Sequence, residues 1–202
     1  AFSIRQLIRF NTKVVQAVHD DRWLLTIDGD NGSATEAFDA LTVCNGHYTE
    51  PRVPDIPGSD HFPASCVHSH NYRSPDGFAG MRVAIVGTAS SGADLSQEIA
   101  VAAERVYWCG SEKAARLKKT EHLKNVTSCG PIRSLIDDGR IELEDRTLIG
   151  PVDSLVFATG YHYRFRFLSE HLIQVRDNWV TPLYQDLLCI TQPTLALIGL
   201  PF

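Results

Sequence analysis

The segment Gly87-Thr88-Ala89-Ser90-Ser91-Gly92 has the composition and position of a phosphate-binding turn. It follows the apolar run 82–86, which is typical of a buried parallel strand, and precedes a helical pattern over 93–103. Small residues let the backbone approach a pyrophosphate, whose charge the helix N-terminus favours. The spacing is that of G-x-G-x-x-G, with Ala89 in place of the second glycine. It predicts a dinucleotide site formed by Gly87, Ala89, Ser90, Ser91, Gly92 and Asp94, although a plain strand–turn–helix corner would show the same pattern.

A second segment of chemical interest lies upstream of this turn. One short stretch contains Phe62, His68 and Tyr72, with His68 six residues after the phenylalanine and four before the tyrosine. A single histidine in such a place is more often structural than catalytic. The residues alone therefore favour a structural role for His68 and Tyr72; cofactor binding is the alternative, and it is implied only by the family that this spacing resembles.

Two further turns end apolar strands. Asn45-Gly46 follows the predicted strand 38–44, and Thr159-Gly160 follows the predicted strand 153–158. Glycine permits a positive φ angle or a close approach of a ligand to the backbone. Asn45, Gly46, Thr159 and Gly160 are therefore further candidates for cofactor contact, although each pair could form an ordinary turn.

The composition excludes several classes of protein. The chain has 202 residues and a formal charge of −5, so nothing indicates a nucleic-acid surface. No apolar run approaches the roughly 20 residues that span a bilayer. Five scattered cysteines without C-x-x-C spacing argue against a zinc site, a disulfide scaffold or a dithiol reductase. They favour an intracellular, reducing compartment, either the cytoplasm or the cytosolic face of a membrane.

The strand–helix–strand pattern from Arg82 to Cys109 predicts an α/β protein with a parallel sheet. The other elements expected from periodicity are strands over 12–18, 23–27, 141–143 and 194–200, and a short helix over 131–137.

In their order along the chain, these segments resemble the flavin-containing monooxygenase family, and its plant-type S-oxygenating members most closely. The family carries F-x-G-x-x-x-H-x-x-x-[YF] before its NADPH-binding glycines, and the segment 62–72 matches it with Ala64 in place of glycine. The segment 157–161 resembles the family's A-T-G-Y motif, and 43–51 resembles its C-x-G-H turn. The resemblance covers nearly the whole chain and is weakest over 111–140.

This resemblance implies an α/β flavoprotein with two dinucleotide-binding, Rossmann-like domains, in which an NADPH domain is inserted into an FAD domain. The expected limits are 1–78 and 152–202 for the FAD domain and 79–151 for the NADPH domain. In the family, the first glycine motif holds FAD, and its equivalent would precede Ala1. We therefore expect an incomplete FAD domain, and an isolated chain that binds FAD weakly and is inactive.

The activity implied by the resemblance uses FAD, NADPH and O₂ and acts on a small-molecule sulfide or amine. NADPH reduces the flavin, which adds O₂ to form a peroxyflavin that a soft nucleophile attacks. Such a reaction needs little acid–base catalysis, so no catalytic residue is assigned. Family members carry an arginine where Cys109-Gly110-Ser111 stands here, which leaves the choice between NADPH and NADH open, with Lys113 or Arg116 as candidate substitutes.

Two other interpretations remain. A Baeyer–Villiger monooxygenase shares the fold and cofactors, but its motif ends in tryptophan where this chain has Tyr72. A non-catalytic scaffold that has lost FAD would keep the same strand pattern. The sequence indicates neither the substrate nor the oligomeric state.

Overall fold

The computed structural model of the chain describes residues 4–30, 32–111 and 123–200. They form two compact units, which we describe separately. The split unit comprises Ala1–Glu50 and His162–Phe202, and the inserted unit comprises Pro51–Tyr161. The insertion topology expected from the sequence is therefore present.

The described elements are short and mostly β-strands. In chain order they are β1 (Lys13–His19), β2 (Trp23–Gly29), β3 (Gly32–Phe38), β4 (Leu41–Val43), β5 (Glu50–Pro51), β6 (Ser65–His68), β7 (Arg82–Val86), α1 (Ser90–Ala100), β8 (Arg105–Cys109), β9 (Val126–Cys129), β10 (Ile132–Leu135), β11 (Ile141–Leu143), β12 (Leu148–Ile149), β13 (Ser154–Phe157), β14 (Tyr161–His162), β15 (Gln174–Arg176), β16 (Trp179–Thr181), β17 (Leu183–Tyr184), β18 (Leu188–Cys189) and β19 (Leu195–Leu197). Short 3-10 helices cover Arg5–Leu7, Ser59–His61, Ser69–Asn71 and Pro75–Phe78. Among the described helices, none has the length and apolar character needed to cross a membrane.

The inserted unit is built on a five-stranded parallel sheet in the order β6-β13-β7-β8-β9. One face packs against α1, where Ile99 meets Val83 and Trp108 in the same core. The other face packs against the small sheet β10-β11-β12 through Ile141 and Leu155. Coverage on both faces explains why β7 reads as an uninterrupted apolar run.

The split unit is held together by strands from both ends of the chain. Its sheet β17-β18-β19-β4 pairs β19 with β4 in parallel, and a second sheet consists of β1-β2-β3. Trp23 is fully buried between them, and its indole N–H donates to the Thr194 hydroxyl at 3.0 Å. Residues before and after the insertion thus share one core.

The limits of the two units differ from the expected domain limits of 78/79 and 151/152. β6 and β13 lie in the segments expected to belong to the FAD domain, yet both are strands of the sheet that contains β7. β13 pairs with β6 on one side and with β7 on the other, so it lies between two strands of this sheet and belongs to the same unit as both. The unit limits therefore lie at 50/51 and 161/162.

Four local features also differ from the sequence-based expectations. The helix expected over 131–137 is wrong, because Ile132–Leu135 is β10 and forms a hairpin with β11. The strand expected over 38–44 is interrupted, since Phe38 is the last residue of β3 and β4 covers only Leu41–Val43. β3 was not predicted because it has no buried residue and hence no apolar alternation. The helix α1 begins at Ser90, three residues earlier than its apolar periodicity indicated.

Replacement of Val106 by alanine should lower the free energy of unfolding by about 2 kcal/mol, because its side chain is fully buried between α1 and the sheet. Val101 is 83% exposed at the end of α1, so Val101→Ala is a matched control that should change stability by less than about 0.5 kcal/mol. Urea titration followed by circular dichroism measures both. Equal effects would contradict the packing described for β8.

Candidate cofactor-binding site

Most of the predicted site residues of the inserted unit lie at one edge of its parallel sheet. His68 is the last residue of β6, Thr159-Gly160 lies just beyond β13, and Gly87 directly follows β7. Because the strands are parallel, these positions share the carboxyl edge, where open α/β sheets bind ligands. The structure thus brings together three motifs that are far apart in sequence.

The turn after β7 is closed by contacts between backbone segments. Gly87 has a φ of 117°, and a Cβ atom there would lie 2.3 Å from the carbonyl oxygen of Ala158. A Cβ atom at Gly92 would lie 2.0 Å from the carbonyl oxygen of Gly87. The Trp108 indole N–H donates to that same Gly87 oxygen at 2.9 Å. Neither glycine can carry a side chain unless β7, β13 and α1 move apart.

The N-terminus of α1 is suited to an anion. Ala89 is the N-cap residue with extended backbone, and no side chain caps the helix there. No acidic residue lies in the first turn, and Ser90 and Ser91 are exposed. The first N–H groups of a helix have no partner within the helix, so they can bind a pyrophosphate. Asp94 is exposed further along α1, beyond these groups.

The segment after β8 borders the same turn. The backbone N–H of Gly87 donates to the carbonyl oxygen of Cys109 at 3.0 Å. A Cβ atom at Gly110 would lie 2.2 Å from Cγ2 of Thr88, whose hydroxyl is 3.5 Å from that of Ser111. Lys113 and Arg116, the candidate partners of a 2′-phosphate, lie outside the described residues.

His68 uses both ring nitrogens to hold backbone. Its Nδ1 accepts from the backbone N–H of His70 at 3.0 Å, so Nε2 carries the hydrogen and donates to the carbonyl of Gly160 at 3.1 Å. The side chain is 6% exposed. Burial lowers the pKa of His68, and the neighbouring His70 lowers it further, while the bond to Gly160 opposes the change. A neutral imidazole with both nitrogens hydrogen-bonded holds two backbone segments together, and it has no nitrogen left to exchange a proton with a substrate.

The Thr159-Gly160 turn is fixed from two sides. Its Gly160 carbonyl accepts from the backbone N–H of Arg52 at 2.9 Å as well as from His68. The Thr159 hydroxyl donates to the carbonyl of Arg52. Gly160 has a φ of 78°, which glycine adopts without strain. The A-T-G-Y turn therefore has a rigid backbone at the sheet edge.

Tyr72 serves packing within the inserted unit. Its ring stacks on Phe78 with centroids 6.0 Å apart and packs against the core beneath α1. Burial and the nearby Glu98 carboxylate raise the pKa of Tyr72 to about 12. Its buried hydroxyl has no hydrogen bond of ordinary geometry within the described part of the chain.

Asn45 and Gly46 lie in the split unit, in the loop after β4. Both are exposed, and Gly46 has a φ of 71°. The next residue, His47, packs its ring on Tyr48 and Tyr163 at 4.0 and 4.8 Å between centroids. Its Nε2 is buried without a partner among residues 4–30, 32–111 and 123–200. Such an orphaned polar atom fits a site completed by a bound group, a role that the sequence did not assign to His47.

The parallel sheet, the glycine turn and the uncapped helix define the inserted unit as a Rossmann-like nucleotide-binding unit. A model of flavin-binding monooxygenase-like proteins matches residues 1–122 and 123–201. The chain belongs to this family, whose members are FAD- and NADPH-dependent flavoproteins.

Plant members of the family are among the most similar sequences. Flavin-containing monooxygenase FMO GS-OX5 of Arabidopsis thaliana is 38% identical over 206 residues, and FMO GS-OX-like 6 of the same plant is 37% identical over 207 residues. The matches cover 100% and 99% of this chain but 45% and 44% of these relatives. The chain therefore spans less than half the length of the curated relatives it matches.

Solved structures agree with this assignment. S-allyl-L-cysteine S-oxygenase from Allium sativum superposes with a TM-score of 0.85 at 34% identity, covering 95% of this chain and 45% of that one. Tmm from Pelagibacter sp. strain HTCC7211 gives 0.86 at 25% identity, covering 98% and 46%. The expected flavoprotein fold with two Rossmann-like domains is thereby confirmed.

The two hydrogen bonds of His68 should affect how the free energy of unfolding depends on pH. The unfolded chain takes up a proton at the ordinary histidine pKa of about 6.5, whereas the folded chain does so only at lower pH. Stability should therefore fall as the pH is lowered from 7 to 5. In His68→Asn, the side-chain oxygen can still accept from His70, but the bond to Gly160 and the titration are lost. We expect a loss of about 1 kcal/mol at pH 7 and a weaker pH dependence.

His61 is exposed in the same unit, so His61→Asn provides the matched control. Urea titrations at pH 7 and pH 5 compare the two variants with the parent chain. An unchanged pH dependence in His68→Asn would show that the folded environment of His68 does not hold it neutral.

Proposed function

We propose that the protein to which this chain belongs is an NADPH- and O₂-dependent flavin monooxygenase. It would oxygenate a soft nucleophilic sulfur or nitrogen atom of a small molecule. Membership of the family supports the reaction type. Sulfur is favoured because a structure 34% identical to this chain is described as an S-allyl-L-cysteine S-oxygenase.

The uncapped N-terminus of α1 is the observation that carries this proposal. It lies at the carboxyl edge of a parallel sheet and follows a tight turn. The close backbone contacts of this turn leave no room for a side chain at Gly87 or Gly92. That arrangement fits a dinucleotide pyrophosphate, so we assign NADPH to the inserted unit. FAD is assigned to the split unit, where the Asn45-Gly46 loop and the orphaned Nε2 of His47 lie.

When bound, NADPH supplies the hydride that reduces the flavin, and FAD supplies the centre at which O₂ is activated. The chain itself would bind and orient. Backbone N–H groups of Ser90, Ser91 and Gly92 would hold the NADPH pyrophosphate, with the helix dipole adding to the attraction. The fixed turn at Thr159-Gly160 would present backbone to a cofactor at the sheet edge.

His68 and Tyr72 would contribute as positioning residues. The two hydrogen bonds of His68 fix the end of β6 and the Gly160 carbonyl at the same time. Tyr72 anchors the following segment to the core under α1. A soft nucleophile reacts without a general base from the protein, so no catalytic residue is assigned.

The activity is tested on the protein that contains this chain, purified from its native source or expressed at full length. A flavin monooxygenase should absorb near roughly 450 nm, lose this absorbance with NADPH and regain it with air. A small thioether should then give its sulfoxide, and a matched tertiary amine tests the nitrogen alternative. A colourless protein that consumes no NADPH would favour the non-catalytic scaffold instead.

Replacement of Ala89 by aspartate should stabilise the chain and weaken NADP⁺ binding together. An aspartate at an N-cap accepts from the free N–H groups of the first turn and adds about 0.5–1.5 kcal/mol of stability. Its charge would occupy the place proposed for the pyrophosphate. We expect NADP⁺ affinity, measured by calorimetry, to fall by at least about tenfold.

Ala89→Asn separates the two effects because asparagine caps a helix without adding charge. It should stabilise the chain to a similar extent and reduce NADP⁺ affinity less than aspartate does. If both variants bind NADP⁺ as the parent does while their stability rises, the pyrophosphate does not bind at α1.

A further inference from the structure

Two cysteines face one another across neighbouring strands of the inserted unit. Cys109 is the last residue of β8 and Cys129 the last residue of β9, and they are direct partners in the parallel ladder. In-register neighbours project from the same face of a sheet, so both thiols are on the face covered by β10-β11-β12. Tyr107 and Cys129 pack on that face.

The spacing of the two strands suits a covalent bond. Adjacent strands lie about 4.8 Å apart, which is within the roughly 4.4–6.8 Å between Cα atoms in disulfides. Both thiols are free in the structure. Besides their contact with each other, each thiol makes a long contact to the carbonyl two residues before it, at 3.7 Å for Cys109 and 3.6 Å for Cys129. Little is therefore lost when the sulfur atoms turn towards each other.

The two thiols are not equivalent. Cys109 is fully buried, whereas Cys129 is half-buried. A hydrogen bond from the Cys109 thiol lowers the pKa of Cys129, and the Arg105 guanidinium acts in the same direction, while burial and the Asp145 carboxylate oppose it. The pKa of Cys109 is raised by that same bond and by burial. Cys129 is therefore the better nucleophile and Cys109 the thiol that would resolve its oxidised form.

We propose that Cys129 and Cys109 form an oxidation site at which a hydroperoxide, such as hydrogen peroxide, produces a reversible disulfide. The Cys129 thiolate attacks one peroxide oxygen, the O–O bond breaks, and a sulfenic acid and hydroxide form. The Cys109 sulfur then attacks the Cys129 sulfur, displacing its hydroxyl group. Two thiols and one hydrogen peroxide thus give one disulfide and two waters, and the two sulfurs lose the two electrons that the peroxide gains.

The other cysteines lack this arrangement. Cys44 and Cys66 are exposed, and no cysteine is their ladder partner. Cys189 is buried, and its thiol contacts the Leu172 carbonyl and the Thr191 hydroxyl. Oxidation of these three would stop at sulfenic or higher acids or link separate molecules. A bond within one chain is therefore specific to the pair on β8 and β9.

Peptide mapping of the full chain tests this proposal directly. The reduced chain is treated with hydrogen peroxide, unfolded in the presence of N-ethylmaleimide so that buried free thiols are also blocked, and digested with trypsin. Cleavage after lysine and arginine places Cys109 in peptide 106–113 and Cys129 in peptide 125–133. We expect these two peptides to be linked, with a mass two hydrogen atoms below their sum. Dithiothreitol added before the blocking step should abolish the link.

Three variants give the controls. Cys109→Ser should leave a sulfenic acid at Cys129 that dimedone traps, and Cys66→Ser should leave the link unchanged. Cys129→Ser should protect Cys109 from oxidation. Because the side chain of Cys129 is only half-buried, this variant should fold and keeps the test decisive if Cys109→Ser does not fold. Oxidation of Cys66 while Cys109 and Cys129 both remain free to react with maleimide would overturn the proposal. A link from either cysteine to Cys44, Cys66 or Cys189 would do the same.

Discussion

The inserted unit depends on the close approach of three backbone segments at Gly87. The turn after β7 touches the carbonyl of Ala158 beyond β13, and its own carbonyl meets Gly92 in α1. Because backbone meets backbone without intervening side chains, the helix N-terminus is held directly against the sheet edge. The direction of the helix dipole, and with it the preference for an anion, follows from this contact.

The same constraint extends to the motif around His68. The imidazole fixes the Gly160 carbonyl, which lies two residues after the Ala158 carbonyl that approaches Gly87. A continuous set of short contacts thus runs from the end of β6 through the turn after β13 to the start of α1. Three sequence motifs spread over about a hundred residues thus form one edge of the sheet, in which polar side chains hold neighbouring backbone segments in place.

The sequence predicted the elements whose local pattern and tertiary environment agree. β7 was predicted with its observed limits because a strand covered on both faces is apolar throughout. The hairpin that contains β10 was mistaken for a helix because four residues of mixed polarity carry no clear period. The domain limits differed because β6 and β13 join the sheet through pairings with residues far away in sequence. The same holds for the pairing of Cys109 with Cys129, which are far apart in sequence, and for the two partners of His68. His68 could be named from its motif, whereas its contacts and the pairing of Cys109 with Cys129 depended on the topology of the sheet.

The pairing of β19 with β4 has a consequence for the order of events during synthesis. Leu195 lies beside Leu41, so the partner of β4 leaves the ribosome roughly 8 to 30 s after it at ordinary rates of translation. During that interval all five strands of the parallel sheet in the inserted unit have been made. That unit can therefore collapse co-translationally around its own contacts, whereas the sheet β17-β18-β19-β4 of the split unit forms only after its last strand has been made. Until β19 is made, β4 therefore lacks the parallel partner that covers its edge.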